Sequence, residues 1–170
     1  MIHLSLRPRA RIAAALVCGT LALAGCGDST LPLPAEGAPD ELEFSIGGFG
    51  TTSRVLRLEG ATIAVRRVPW GWSPGEPVDS IRVTPTEEAW REFWSDADRA
   101  GVRLWQPRYR QENVVDGGGY GLRIVVDGDV IESSGSNAYP DRRGREHEGE
   151  MTDDFRGFLD ALGELIGEPL

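Results

Sequence analysis

Thr84–Gly101 reads TPTEEAWREFWSDADRAG, and within it the hydrophobic period of the chain changes. Thr84-Pro85-Thr86-Glu87 carries two helix-start signals. Thr84 can cap while Glu87 reaches back, and Pro85 sits where a missing N–H costs nothing. Ala89, Trp90, Phe93, Trp94 and Ala97 then recur at helical spacing and form one apolar stripe. Glu87 and Arg91 make an i,i+4 pair of favourable orientation on the outer side. Gly101 is a natural C-terminal stop.

Before this helix the period is two. Leu42, Phe44 and Ile46 alternate with Glu41, Glu43 and Ser45, until Gly47-Gly48-Phe49-Gly50 breaks the strand. Arg54–Leu58 and Ala61–Val68 are two further runs, with Glu59-Gly60 as a tight turn between them. Ile81 and Val83 mark a fourth strand. After the helix, Val102–Trp105 reads as a strand. Tyr120–Val126 and Asp129–Ser133 flank Asp127-Gly128, a strong type I′ hairpin signal. Phe155, Phe158, Leu159, Leu162 and Ile166 return to helical spacing, with Asp153 and Asp154 at the positive end of that helix and Gly167 and Pro169 closing it. The predicted class is α+β: an antiparallel sheet of about six to seven strands with two helices packed on one face. Trp90, Trp94, Phe155 and Phe158 are the expected large core residues.

The amino terminus has a different character. Arg7, Arg9 and Arg11 form a positive segment free of acids, and Ile12–Ala24 (IAAALVCGTLALA) follows as an apolar stretch. It falls short of the roughly 20 residues a spanning helix needs and fits a signal-peptide core. Leu23-Ala24-Gly25-Cys26 comes next. This tetrapeptide resembles the lipobox of bacterial lipoproteins. The resemblance implies that residues 1–25 are removed and that Cys26 becomes an acylated N-terminus, with palmitate-type chains holding the protein in a membrane. Two or more chains give lasting attachment where one does not. In that family an Asp directly after the cysteine signals inner-membrane retention. Gly27 stands there, which points to the outer membrane, facing the periplasm. Residues 26–40 then form the lipidated cysteine and a flexible tether rich in Pro, Gly, Ala and Ser/Thr. Residues 41–170 form a single α+β body.

Composition narrows the function. The 170 residues hold 27 acids against 18 basic residues, all of them Arg, for a net charge of −9. Loss of the three signal-peptide arginines makes the remainder three units more negative. A nucleic-acid partner needs a basic patch, so none is expected. After processing, His147 is the only histidine and Cys26 is acylated, so no zinc or iron centre is expected and no cofactor is predicted. Asp127, Asp129 and Glu132 lie close together, but Ile131 and Glu132 break the EF-hand spacing, and the trio reads as a hairpin turn. His147 lies in the alternating-charge run 141–150, which reads as a solvated, mobile loop and not as a catalytic base. Gly117-Gly118-Gly119-Tyr120-Gly121 lacks the Lys-Ser/Thr of a phosphate loop and precedes a strand, so it reads as a flexible turn.

Two segments offer ligand-binding candidates. Trp70 and Trp72 stand in a Pro/Gly loop, where they would lid the core or stack on a sugar or peptide. Ser133–Pro140 follows the second hairpin. It could frame a polar pocket from Asn137 and Tyr139 with Tyr109 and Asp116, although Asn137 bonding its own backbone in a turn is the favoured account. The carboxyl-terminal half, from Thr84 onward, resembles small bacterial proteins of no assigned activity with a Trp…Tyr…Asp-Gly…Ser-Gly-x-Asn-x-Tyr-Pro pattern. Here Trp90 and Trp105, Tyr109, Asp116-Gly117, Ser134-Gly135, Asn137 and Tyr139-Pro140 carry the likeness, which brings no catalytic residue with it. The reading is therefore a lipid-anchored envelope protein, leaning away from an enzyme, that binds a protein, peptide or glycan. The alternatives are a carboxylate-based hydrolase acting on envelope glycans, or a purely structural assembly protein.

Overall fold

The computed structural model describes residues 37–69, 79–114 and 116–170. The expected signal peptide, Cys26, most of the expected tether, Trp70 and Trp72 lie outside them. In chain order the elements are β1 (Glu41–Gly48), β2 (Ser53–Glu59), β3 (Thr62–Val68), β4 (Asp79–Val83), α1 (Glu87–Arg99), a 3-10 turn (Val102–Leu104), β5 (Tyr109–Arg110), β6 (Gly118–Val126), β7 (Asp129–Ser136), β8 (Ala138–Pro140), β9 (Glu146–Glu148) and α2 (Asp153–Ile166). Seven strands form one sheet in the order β4-β3-β2-β1-β6-β7-β5, while β8 and β9 form a separate ribbon. Every pairing is antiparallel except the short parallel one between β5 and β7. The architecture is thus mixed α+β.

The two-residue alternation separates the sheet's faces. Phe44 opposes Leu56 on one side and Leu122 on the other, and Leu56 opposes Val65, so this row is apolar and buried. One residue along, the row Arg57–Glu43–Arg123–Glu132 crosses four strands in alternating charge. Arg57 pairs with Glu43 at 3.7 Å, and Arg123 reaches both Glu41 and Glu132. These pairs are solvent-exposed and add little stability, about 0–1 kcal/mol each. Their effect is on register, since a one-residue slip would turn this row into the core.

The hairpin turns follow their chemistry. Asp127 and Gly128 both have positive φ, at 50° and 85°, as a type I′ turn requires. Gly60 carries the positive φ of the β2–β3 turn, whose two linking residues are Gly60-Ala61, one position later than expected.

Helix α1 starts two residues later than its sequence suggests. Its N-cap is Thr86, whose hydroxyl accepts from the Ala89 N–H at 3.1 Å. Thr84 instead shares a 3.0 Å hydrogen bond with Thr62 on β3. Among the described residues Glu87 and Arg91 form no ion pair; the helix carries Arg99–Asp96 instead. Ala100 is the C-cap, and Gly101 follows in the left-handed region. The expected strand at 102–105 is not formed. Gly101 turns the chain into the 3-10 turn, Val102 enters the core, and the Trp105 indole N–H donates back to the Ala100 carbonyl at 3.3 Å. Helix α2 has Thr152 as N-cap, accepting from the Phe155 N–H at 3.0 Å, and ends at Gly167.

Aromatic contacts tie these elements into one hydrophobic cluster. Phe158 of α2 meets Phe44 of β1 at 5.7 Å, Phe93 of α1 at 6.1 Å and Trp105 at 5.1 Å between ring centroids. Edge-on and tilted arrangements of this kind add to the burial of apolar area. The expected tether ends early. The Trp94 indole N–H donates to the Gly37 carbonyl at 2.8 Å, and the Asp40 N–H donates to Val125 at 2.8 Å, so residues 37–40 are fastened to the body.

Candidate functional site

The glycines that punctuate β1 and β6 pair with each other: Gly47 opposes Gly119, and Gly48 opposes Gly118. A Cβ on Gly47 would collide with Ser53, and one on Gly48 would lie 3.2 Å from the Gly117 carbonyl. A Cβ on Gly118 would come within 2.8 Å of the Tyr139 hydroxyl. Gly118–Gly121 are therefore strand residues chosen for close approach, not the flexible turn expected of a glycine run.

After Gly48 the chain makes a tight loop in which Thr51 donates to the Gly48 carbonyl from both its N–H and its hydroxyl. This loop sets Phe49 at the surface, 64% exposed. Beneath it opens a groove of about 560 Å³. Ile46, Phe49, Met151 and Leu170 supply apolar wall, while Thr52, Arg54 and Asp116 supply polar rim. Arg54 is already engaged by the Pro169 carbonyl. Asp116 is exposed and makes no ion pair among the described residues.

Tyr139 also lines the groove. Its ring stacks on Tyr120 at 6.1 Å and tilts against Phe155 at 5.1 Å, and the residue is only 4% exposed. Burial raises its phenol pKa above the ordinary value. Among the described residues its hydroxyl has no hydrogen-bond partner. The other two tyrosines differ. The Tyr109 hydroxyl accepts from the Gln106 N–H and donates to the Gly144 carbonyl. The Tyr120 hydroxyl lies 2.9 Å from Ser133 Oγ, and that oxygen's own proton goes to the Gln106 carbonyl. Tyr120 is therefore the donor to Ser133.

Of the residues singled out from sequence, the fold brings Asp116 and Tyr139 together in this groove. Tyr109 is not part of it. It is 1% exposed and its hydroxyl is consumed in holding the 106–109 and 144 segments together, so it is a core residue. Asn137 stands behind the groove, where a Cβ on Gly117 would touch its side chain at 3.0 Å. Its amide donates to the Gln111 side chain, so the expected bond to its own backbone gives way to a longer-range one. Phe49, Arg54, Met151 and Leu170 were not anticipated as site residues. A large aromatic flanked by Gly48 and Gly50 was the one available signal.

The 141–150 segment is more ordered than its charge pattern implies. Asp141 is 5% exposed. Its Oδ1 accepts from the N–H groups of Arg143 (2.8 Å) and Arg145 (3.0 Å), and its Oδ2 accepts from Arg145 Nε (2.7 Å). His147 Nε2 lies 3.3 Å from Oδ2 and sits on β9. Burial by itself would raise the Asp141 pKa. The hydrogen bonds from Arg145, Arg143 and His147 outweigh it and hold the carboxyl well below the usual range. Among the described residues no Ser, Thr or Cys hydrogen-bonds His147, and the Asp141–His147 contact fastens the turn.

A second groove, of about 290 Å³, runs between α1 and α2 and is lined by Asp96, Asp153, Asp154, Asp160 and Glu164. Among the described residues no group of three or more His, Cys, Asp or Glu side chains is arranged to hold a metal ion. No helix among them is long and apolar enough to cross a membrane. No protein-family model matches the chain, and no curated protein matches it.

Proposed function

We propose that this chain is a lipid-anchored bacterial envelope protein, held at Cys26 in the outer membrane and facing the periplasm, whose body is a non-enzymatic binding module. The anchor rests on the arginine-led apolar segment and the Leu23-Ala24-Gly25-Cys26 tetrapeptide. The binding reading rests on one observation: the Tyr139 hydroxyl, without a hydrogen-bond partner among the described residues, lines a groove with an exposed phenylalanine at its mouth. A hydroxyl that faces a groove can donate to a ligand acceptor there.

The two halves of the proposal fit in space. Chain from the anchor joins the body at Gly37–Asp40, beside the start of β1, where Glu41 opposes Val125. The groove lies at the other end of β1, where Gly48 opposes Gly118. An eight-residue strand separates the ends by about 24 Å at about 3.4 Å per residue. We also propose that both helices cover the apolar face of the sheet, a reading supported by the Phe44–Phe158 and Phe93–Phe158 contacts.

Intact-mass analysis of the protein from its native membrane tests the anchor. A chain beginning at an acylated Cys26 is expected, with the longer precursor accumulating under globomycin. A mature chain with an unmodified Cys26 thiol would refute it.

A further inference from the structure

We propose that the Phe49–Tyr139 groove takes an extended peptide segment that places an aliphatic side chain between the walls and a neighbouring Lys or Arg over Asp116. This rests on the binding-module reading and gives it a ligand class. Three features define the occupant. Ile46, Phe49, Met151 and Leu170 present aliphatic and aromatic wall, which suits an apolar side chain better than a hydroxyl-rich ring. The Tyr139 hydroxyl offers one donor facing the groove, the requirement of a single peptide carbonyl.

The rim supplies the third. Arg54 donates to the Pro169 carbonyl and the Thr51 hydroxyl to the Gly48 carbonyl, so among the described residues Asp116 is the charged side chain of the groove without a hydrogen-bond or ion-pair partner. A carboxylate at the mouth of an apolar slot selects a cation, and a chain of net charge −9 draws one in. Glycans fit less well, because they would need several polar partners where the groove offers few. The glycines complete the slot. With Gly118 bare of a side chain, the Tyr139 hydroxyl stays open to the groove.

The test uses the full chain in lipid nanodiscs and three fluorescein-labelled peptides, Gly-Leu-Lys-Gly, Gly-Leu-Glu-Gly and Gly-Ser-Lys-Gly, with capped ends. Gly-Leu-Lys-Gly is expected to bind about tenfold or more tighter than either of the others, the ratio set by one buried aliphatic side chain or one charge reversal. Phe49→Ser and Asp116→Asn change exposed residues and should fold normally, as thermal melting would verify. Each should remove most of that preference, and Tyr139→Phe should weaken binding of all three peptides. Equal binding of the three peptides, or a preference untouched by Phe49→Ser and Asp116→Asn, would overturn the peptide assignment. Binding of chitotetraose that Phe49→Ser abolishes, without peptide binding, would overturn it while leaving the groove a binding site. No binding of any probe would overturn it as well, and the mass test of Cys26 would still judge the anchor separately.

Discussion

The rings of Tyr120 and Tyr139 stack with centroids 6.1 Å apart and planes inclined by 21°, yet of the two hydroxyls only that of Tyr120 has a hydrogen-bond partner among the described residues. That asymmetry separates a structural tyrosine from a candidate ligand donor, and it predicts different responses to the same substitution. Tyr120→Phe removes the bond to Ser133 and should cost about 1–2 kcal/mol. Tyr139→Phe removes a hydroxyl with no partner among the described residues and should change stability by less than about 0.5 kcal/mol. Urea denaturation of the two variants measures both. Equal losses would mean that Tyr139 has a structural partner after all.

Two glycines make an opposite pair. Gly157 sits inside α2, where an added Cβ would meet nothing within 4 Å. Gly157→Ala should therefore stabilise the protein by about 0.5–1 kcal/mol through the lower entropy of its unfolded chain. Gly101 has φ 74°, and a Cβ there would collide with the Arg142 backbone. Gly101→Ala should cost more than about 2 kcal/mol, because strain and collision add. Thermal unfolding midpoints should move in opposite directions.

The N-terminus of α1 tests the cap assignment. Thr86→Ala takes the acceptor from the Ala89 N–H and should cost about 1 kcal/mol. Thr84→Ala loses an exposed bond to Thr62 and should cost less than about 0.5 kcal/mol. The reverse ranking in chemical denaturation would restore Thr84 as the cap.

This cap shows where sequence reasoning stops. The pattern Thr-Pro-Thr-Glu announces a helix, but two threonines compete for its start, and the fold separates them: the Thr84 hydroxyl is engaged by Thr62 on β3, while that of Thr86 accepts from the Ala89 N–H. The strands of β1, β2, β3, β6 and β7 were legible because each keeps period-two alternation over several residues. Strands β5, β8 and β9 have two or three residues each, too few to carry a period. Gly118–Gly121 misled for a different reason: glycine reads locally as a turn, whereas here Tyr139 and strand β1 require it from a distance. The site follows the same rule. Asp116 and Tyr139 could be named from sequence, but their neighbours Phe49, Met151 and Leu170 converge only through the fold. Tyr109 and Asn137 have equally suggestive residue types, and they are spent on internal hydrogen bonds.

Asp141 gives the pH prediction. Its carboxylate is buried and accepts from two backbone N–H groups and the Arg145 side chain, with His147 adjacent. Its pKa in the folded protein is lowered, so the sign of the linkage is fixed. The stabilisation is fully present above the unfolded-state value of about 3.9 and is lost as the pH falls further below it. Asp141→Ala at neutral pH should cost about 1–3 kcal/mol, since it takes the acceptor from two part-buried N–H groups and from the arginine together. Asp141→Asn keeps a neutral acceptor for the N–H groups and should cost about half as much. The decisive measurement is the difference in unfolding free energy between wild type and Asp141→Asn across about pH 2–7. That difference should shrink below about pH 4, because acid removes from the wild type the charge that the variant already lacks. A gap that stays constant to pH 2 would show that the carboxylate's charge contributes nothing and that only its shape holds the turn.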